Sequence, residues 1–110
     1  MNIRMDSKEV RVRLKQEEIG ILLKSGFLKM EVPLPIYMLS FRVAFDERSR
    51  IAQNENDVTF WLSPAVRDKL ESSVHGKDPV ETVSEEINGN LVCFKLEVDV
   101  FDSKKREQRI

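Results

Sequence analysis

Apolar and polar residues alternate from the start of the chain: Ile3 and Met5, then Val10, Val12 and Leu14, with Arg4, Arg11 and Arg13 in the gaps. A period of two places the apolar set on one face of a strand and the arginines on the other. Asn2 to Met5 and Glu9 to Leu14 are therefore expected to form a hairpin around Asp6-Ser7-Lys8. From Lys15 the period lengthens, and Ile19, Leu22 and Leu23 share one helical face. Glu17 and Glu18 suit the positive end of a helix dipole, and Ser25-Gly26 supplies a stop, since glycine readily takes the left-handed conformation after a helix. Alternation returns in Phe27 to Val32. A turn at Pro33-Leu34-Pro35 leads into a long strand, Ile36 to Phe45, with Tyr37, Leu39, Phe41, Val43 and Phe45 on one side. Asp46 to Ser49 connects this half to the next.

The same beat recurs 48 positions later, where Ile3, Val10, Val12, Leu14 and Leu22 are answered by Ile51, Val58, Phe60, Leu62 and Leu70. After a five-residue insertion the match continues at an offset of 53, pairing Met30, Ser40, Phe41, Arg42 and Val43 with Val83, Cys93, Phe94, Lys95 and Leu96. Repetition of this kind marks a supersecondary unit used twice. In the second copy, Arg50 to Gln53 and Val58 to Leu62 flank a turn at Asn54-Glu55-Asn56-Asp57, rich in residues that tolerate positive φ. Ser63-Pro64 predicts a helix start with a hydroxyl cap. That helix buries Val66 and Leu70, runs to about Ser73 and stops before Gly76. Val80 to Glu86, an Asn88-Gly89 turn and Leu91 to Phe101 complete a last hairpin, with Phe94, Leu96, Val98 and Val100 inward.

The pattern predicts one α+β domain over residues 1–101, made of two pseudo-repeats, 1–48 and 49–101, followed by a flexible tail, 102–110. Each repeat is strand-strand-helix-strand-strand. Eight mostly antiparallel strands would form a barrel or a strongly curved sheet, with the two helices packed on it.

Several segments carry a likeness beyond their periodicity: Met1-Asn2-Ile3-Arg4, Val10-Arg11-Val12-Arg13-Leu14 with Glu18-Ile19, Gly26-Phe27, and Asn56-Asp57-Val58-Thr59-Phe60-Trp61-Leu62-Ser63-Pro64. Over roughly residues 1–101 the chain resembles a small bacterial family of unknown function whose N-terminal hairpin reads Lys-Ile-Arg-Ile and Arg-Leu-Arg-Leu. It departs from that pattern at Glu17, where serine is usual, and at Lys104-Lys105-Arg106, where an acidic end is usual. The resemblance implies a shared fold and brings no activity with it. In element order the chain is also similar to the tunnel-type triphosphatases, whose eight-stranded barrel binds polyphosphate among inward charges. The alternating glutamates that hold metal in those enzymes are replaced here by Arg11 and Arg13, or by Thr59 and Trp61.

Composition narrows the options further. The longest apolar-rich stretch, Val32 to Phe45, is broken by Pro33, Pro35, Ser40 and Arg42, so no membrane span is expected. The absence of an apolar leader in Met1 to Lys15 and the single cysteine, Cys93, point to the cytoplasm. Net charge is −1, distributed as +3 over residues 1–50, −6 over 51–101 and +2 over 102–110. This lacks the basic excess of a nucleic-acid binder, and the opposed halves permit a homodimer.

The sharpest chemical set is Arg4, Arg11, Arg13, Arg42 and Lys95, a candidate anion site because guanidinium forks hold phosphate or carboxylate. The blander alternative is a solvated face with cross-strand pairs to Glu31, Glu97 and Asp99. Trp61 and Phe101 form a candidate partner surface, or a second layer beneath a helix. His75 reads as a cation at a helix C-terminus and Cys93 as an inert thiol. Glu85-Glu86 and Glu55 to Asp57 read as solvated turn residues. No catalytic set, metal site or cofactor motif is apparent. The expectation is a non-enzymatic module that binds a protein or a small ligand, with a polyphosphate-binding barrel related to the tunnel-type phosphohydrolases as the alternative.

Overall fold

Alternation becomes strand and the longer period becomes helix almost residue for residue in a computed structural model of the chain, which describes residues 1–72 and 78–99. The order is β1 (Asn2–Met5), β2 (Glu9–Leu14), α1 (Gln16–Ser25), β3 (Phe27–Pro33), β4 (Met38–Phe45) and β5 (Arg50–Asn54). It continues with β6 (Asp57–Leu62), α2 (Pro64–Glu71), β7 (Glu81–Ile87) and β8 (Asn90–Val98). The Lys15 N–H donates to Glu18 Oε1 at 2.9 Å, the reach-back half of a capping box, and the Met1 amino group donates to the other oxygen of the same carboxylate. Gly26 ends α1 at φ 88°, its N–H donating to the Leu22 carbonyl at 2.8 Å.

Two local expectations are corrected. The Ser63 hydroxyl does not cap α2; instead the Ser63 N–H donates to Ser49 Oγ at 2.9 Å, tying the helix start to the connector before β5. Tyr37 lies in the turn before β4 rather than on its inner face, and its ring is exposed. Val100, Phe101, the tail 102–110, His75, Gly76 and the expected end of α2 at Ser73 lie outside the described residues.

The barrel is also corrected. The strands form two four-stranded sheets, β1-β2-β8-β7 and β3-β4-β6-β5, and neither is wholly antiparallel. Hairpins pair antiparallel, but the middle of each sheet is a parallel junction, β2 with β8 and β4 with β6. The sheets meet through their apolar faces, with the Phe60 and Phe94 rings edge to face at 6.3 Å between centroids. Where β5 and β7 approach, a side chain stands in for the missing ladder: the Ile51 N–H of β5 donates to Glu85 Oε1 of β7 at 3.0 Å. A carboxylate occupying an edge donor leaves no backbone partner to continue the sheet.

Each sheet takes one hairpin from each half of the chain, and the two sets of pairings correspond. Glu9 faces Cys93 and Leu14 faces Val98 in the first junction; Asp57 faces Ser40 and Leu62 faces Phe45 in the second. Offsets of 48 and 53 turn the one register into the other. The bonds beyond the ladders match as well, with Cys93 N–H donating to the Lys8 carbonyl and Ser40 N–H to the Asn56 carbonyl, both at 2.9 Å.

These directions have a consequence for shape. Because β2 runs parallel to β8 and β4 to β6, all four hairpin turns fall at one end of the molecule, while both helices and every crossing between sheets fall at the other. The helix end is densely filled: Leu14, Leu22, Leu62, Leu70, Leu96 and Val66 are fully buried. Each contributes about 1.5–3 kcal/mol of transfer free energy, an upper estimate. Arg67 of α2 fastens this end by donating to the Leu23 carbonyl of α1 at 3.1 Å while its guanidinium lies 4.8 Å from the centre of the Phe45 ring. No helix among the described residues is long and apolar enough to cross a membrane.

Candidate functional site

Four of the five predicted basic residues come together on the outer face of the first sheet. Register sets Arg4 of β1 opposite Arg11 of β2, and Arg11 opposite Lys95 of β8, giving a row of three cations on adjacent strands. Arg13 stands one pleat further along, opposite Glu97. Carboxylates interleave with the cations. Glu9 Oε1 accepts from Lys95 Nζ at 2.7 Å, and its Oε2 lies 3.3 Å from the buried Arg11 Nε, without hydrogen-bonding geometry. Glu97 Oε1 is 4.0 Å from an Arg13 nitrogen. The Lys95 hydrogen bond, aided by the charge of Arg11, holds the Glu9 carboxyl below its ordinary range, and the same bond raises Lys95. Among the described residues Arg4 has no carboxylate partner.

Arg42 does not join them. It belongs to β4 in the other sheet, where its guanidinium lies 5.8 Å from the centre of the Phe27 ring. The lumen that would gather all five cations is not formed. Trp61 is half-buried on the outer face of the second sheet, with the Arg50 guanidinium 5.2 Å from its ring centre; Arg50 is held in turn by Asp46 at 2.7 Å. Its intended companion Phe101 lies outside the described residues. Cys93 is half-buried beside Glu9 on the first sheet.

An apolar concavity lies elsewhere, in the space between the sheets. Near the helices the side chains that face this space are fully buried. Toward the hairpin turns the sheets leave a cleft of about 360 Å3. Ile3, Val10 and Val12 wall it on one side and Leu39, Ile51 and Val58 on the other, with the rings of Phe41, Phe60 and Phe94 deeper in; Arg42 also borders it. Met5 and Ile87 stand at its mouth, 58% and 38% exposed. The polar groups of the chamber are few: Gln53, which donates to the Glu55 carbonyl at 3.0 Å, Glu85, which is engaged with Ile51 N–H, and Arg42 at its border. A concave, apolar chamber with a small number of fixed polar groups is the usual form of a small-molecule site, and its volume falls at the small end of the roughly 300–1,000 Å3 range such sites span.

This cleft was not foreseen from the sequence, although one residue signals it. In β7 the inward positions are Val83, Glu85 and Ile87, so a carboxylate interrupts an apolar alternation. Glu85 is therefore a strand residue facing the chamber rather than part of a solvated turn. The matching position of the first half is Val32. The valines at positions 10 and 58 are a weaker signal, since small side chains at the outer reach of two facing sheets leave volume unfilled. No family model matches the chain, and no curated protein or solved structure gives a significant match to it.

Proposed function

We propose that the protein is a non-enzymatic binding module whose site is the apolar cleft between the two sheets, and that the bound group is hydrophobic. The observation that carries this reading is the contrast within one core: fully buried side chains at the helix end, an open apolar cleft at the turn end. An unfilled apolar chamber costs stability in the empty protein, so a hydrophobic occupant regains burial that the chain itself forgoes. Among the described residues that line the chamber, Glu85 is the only carboxylate, and it is engaged with a backbone N–H. The corresponding registers support reading the chain as one unit used twice, with each sheet assembled from both copies.

The neutral dye Nile red, whose emission rises on entering an apolar site, tests the cleft. Val58→Phe places a ring in the chamber. It is expected to weaken dye binding about tenfold or more while leaving the melting temperature unchanged or raised, as cavity filling does. Trp61 lies on the outer face and reports an undisturbed sheet. Dye bound equally well by Val58→Phe and wild type would place the site elsewhere and end this reading.

A second reading, an anion site at Arg4, Arg11, Arg13 and Lys95, draws support from one observation: like charges face each other directly across β1, β2 and β8, an arrangement that destabilises a sheet unless a counter-charge relieves it. Millimolar triphosphate is then expected to raise the melting temperature by roughly 2 °C or more, and Arg4→Gln to remove the rise. An unchanged melting temperature would reduce the row to a surface lattice.

A further inference from the structure

We infer that two copies of the chain associate edge to edge through β3, antiparallel about a twofold axis at Met30, so that the second sheet of one continues into that of the other. The inference is independent of what occupies the cleft. The two sides of the sandwich differ. On one side the Glu85 carboxylate joins β7 to β5; on the other, among the described residues, β3 pairs with β4 alone and its far edge meets no strand. The inward side chains of this edge, Leu28, Met30 and Val32, are only half-buried, which leaves apolar surface for a neighbour to cover. An edge strand is a ready template for another chain, with backbone bonds giving affinity and side chains giving register.

The β3–β4 ladder fixes which backbone groups are open. The Leu34 N–H donates to the Tyr37 carbonyl at 2.9 Å, one step beyond the pair Pro33 and Met38. In an antiparallel ladder this phase turns the N–H and C=O groups of Leu28, Met30 and Val32 to β4, and those of Phe27, Lys29, Glu31 and Pro33 to the free edge. Pro33, with no N–H to give, falls where β4 needs none. The Ser40 N–H agrees, since this residue, opposite Glu31, donates away from β3 to Asn56. Pairing two such edges must set open groups against open groups, so the axis falls on a residue. Centred on Lys29 it opposes two lysines, and centred on Glu31 two glutamates. Centred on Met30 it sets Lys29 opposite Glu31 on both sides of the axis and overlaps the strands in full from Phe27 to Pro33. Each Lys29 and Glu31 then exchange both backbone bonds, and each Phe27 N–H meets a Pro33 carbonyl. Within one copy Lys29 Nζ and Glu31 Oε1 already lie 3.3 Å apart, so the pair of edges forms a ring of alternating charge. The same register uses the exposed apolar side chains at the two ends of β3. Phe27, 48% exposed, comes opposite Pro33 of the second copy, beside its turn with Leu34, Tyr37 and the 92% exposed Ile36. An isologous contact of this kind closes at two copies.

Analytical ultracentrifugation of the full chain is expected to show a dimer at micromolar concentration. Lys29→Glu and Glu31→Lys each set like charges across the axis and are expected to weaken association about tenfold or more. An equimolar mixture of the two variants, whose charges complement each other, is expected to restore it. Both side chains are exposed, and circular dichroism verifies that the variants fold. Met30→Cys in a Cys93→Ser background fixes the register. Met30 would face its own counterpart in a non-hydrogen-bonded pair, where side chains approach most closely, so this variant is expected to oxidise to a covalent dimer. Thr82→Cys, exposed on β7, is expected to remain uncrosslinked. A chain that stays monomeric at millimolar concentration overturns the inference. So does a dimer indifferent to both charge reversals, a mixture no more associated than its components, or crosslinking as ready at position 82 as at position 30.

Discussion

Glu55 takes a left-handed backbone, φ 54°, in a turn flanked by two asparagines that tolerate that conformation better. The sequence places the turn correctly but does not reveal which of its residues adopts positive φ. The second such residue, Asn88 at φ 51°, is followed by Gly89 at φ 81°, the arrangement that Asn-Gly favours and that makes the β7–β8 turn legible in advance. Glu55→Gly relieves the steric cost and is expected to stabilise the protein by about 0.5–1 kcal/mol, measured as a shift in urea midpoint. A lower midpoint would mean that the Glu55 side chain makes a compensating contact. Glu85 carries a similar lesson. Its acidic neighbour and nearby turn suggest solvent, and only the parity of Val83 and Ile87 shows that it faces inward.

At the scale of elements, strands β1 and β2 and helix α1 are legible to within a residue because local chemistry encodes them: alternation, an acidic first turn, and a glycine stop. Pairing between distant strands is not local. Nothing in Glu9 to Leu14 specifies that β8 lies beside it in parallel, since the side chains that decide this, Val12 against Leu96 and Leu14 against Val98, are more than eighty residues apart. Hairpin reasoning alone therefore favours an antiparallel barrel. What the repeat does carry is the equivalence of the two junctions. The β2–β8 junction also carries a pH signature. Glu9, held below its ordinary range by Lys95, contributes stability above that range and loses it as pH falls through the lowered value; Asp46 beside Arg50 and Asp6 in its turn add with the same sign. Glu9→Gln is expected to lower stability at pH 7 and to flatten the decline between about pH 5 and pH 2, followed by urea midpoints. An acid limb as steep as that of wild type would show that the pairing with Lys95 is not retained in solution.

Taken whole, the molecule is polarised. Crossings, helices and fully buried leucines occupy one end, while turns, exposed apolar side chains and the cleft occupy the other. Hydrogen exchange is expected to follow this axis, with amides of Leu14, Leu62, Leu96 and Val98 exchanging only on global unfolding and those of Val10, Val58 and Val92 through smaller openings. Uniform protection along β2, β6 and β8 would contradict it. The parallel junctions bear on how the protein is made. The first sheet cannot close until β8, the last of its four strands to be synthesised, reaches β2, so a nascent chain stalled before residue 90 presents β2 as a bare edge with Val10, Val12 and Leu14 uncovered. Such a chain is a natural client for chaperones, and truncations that remove β8 should aggregate rather than yield half a protein.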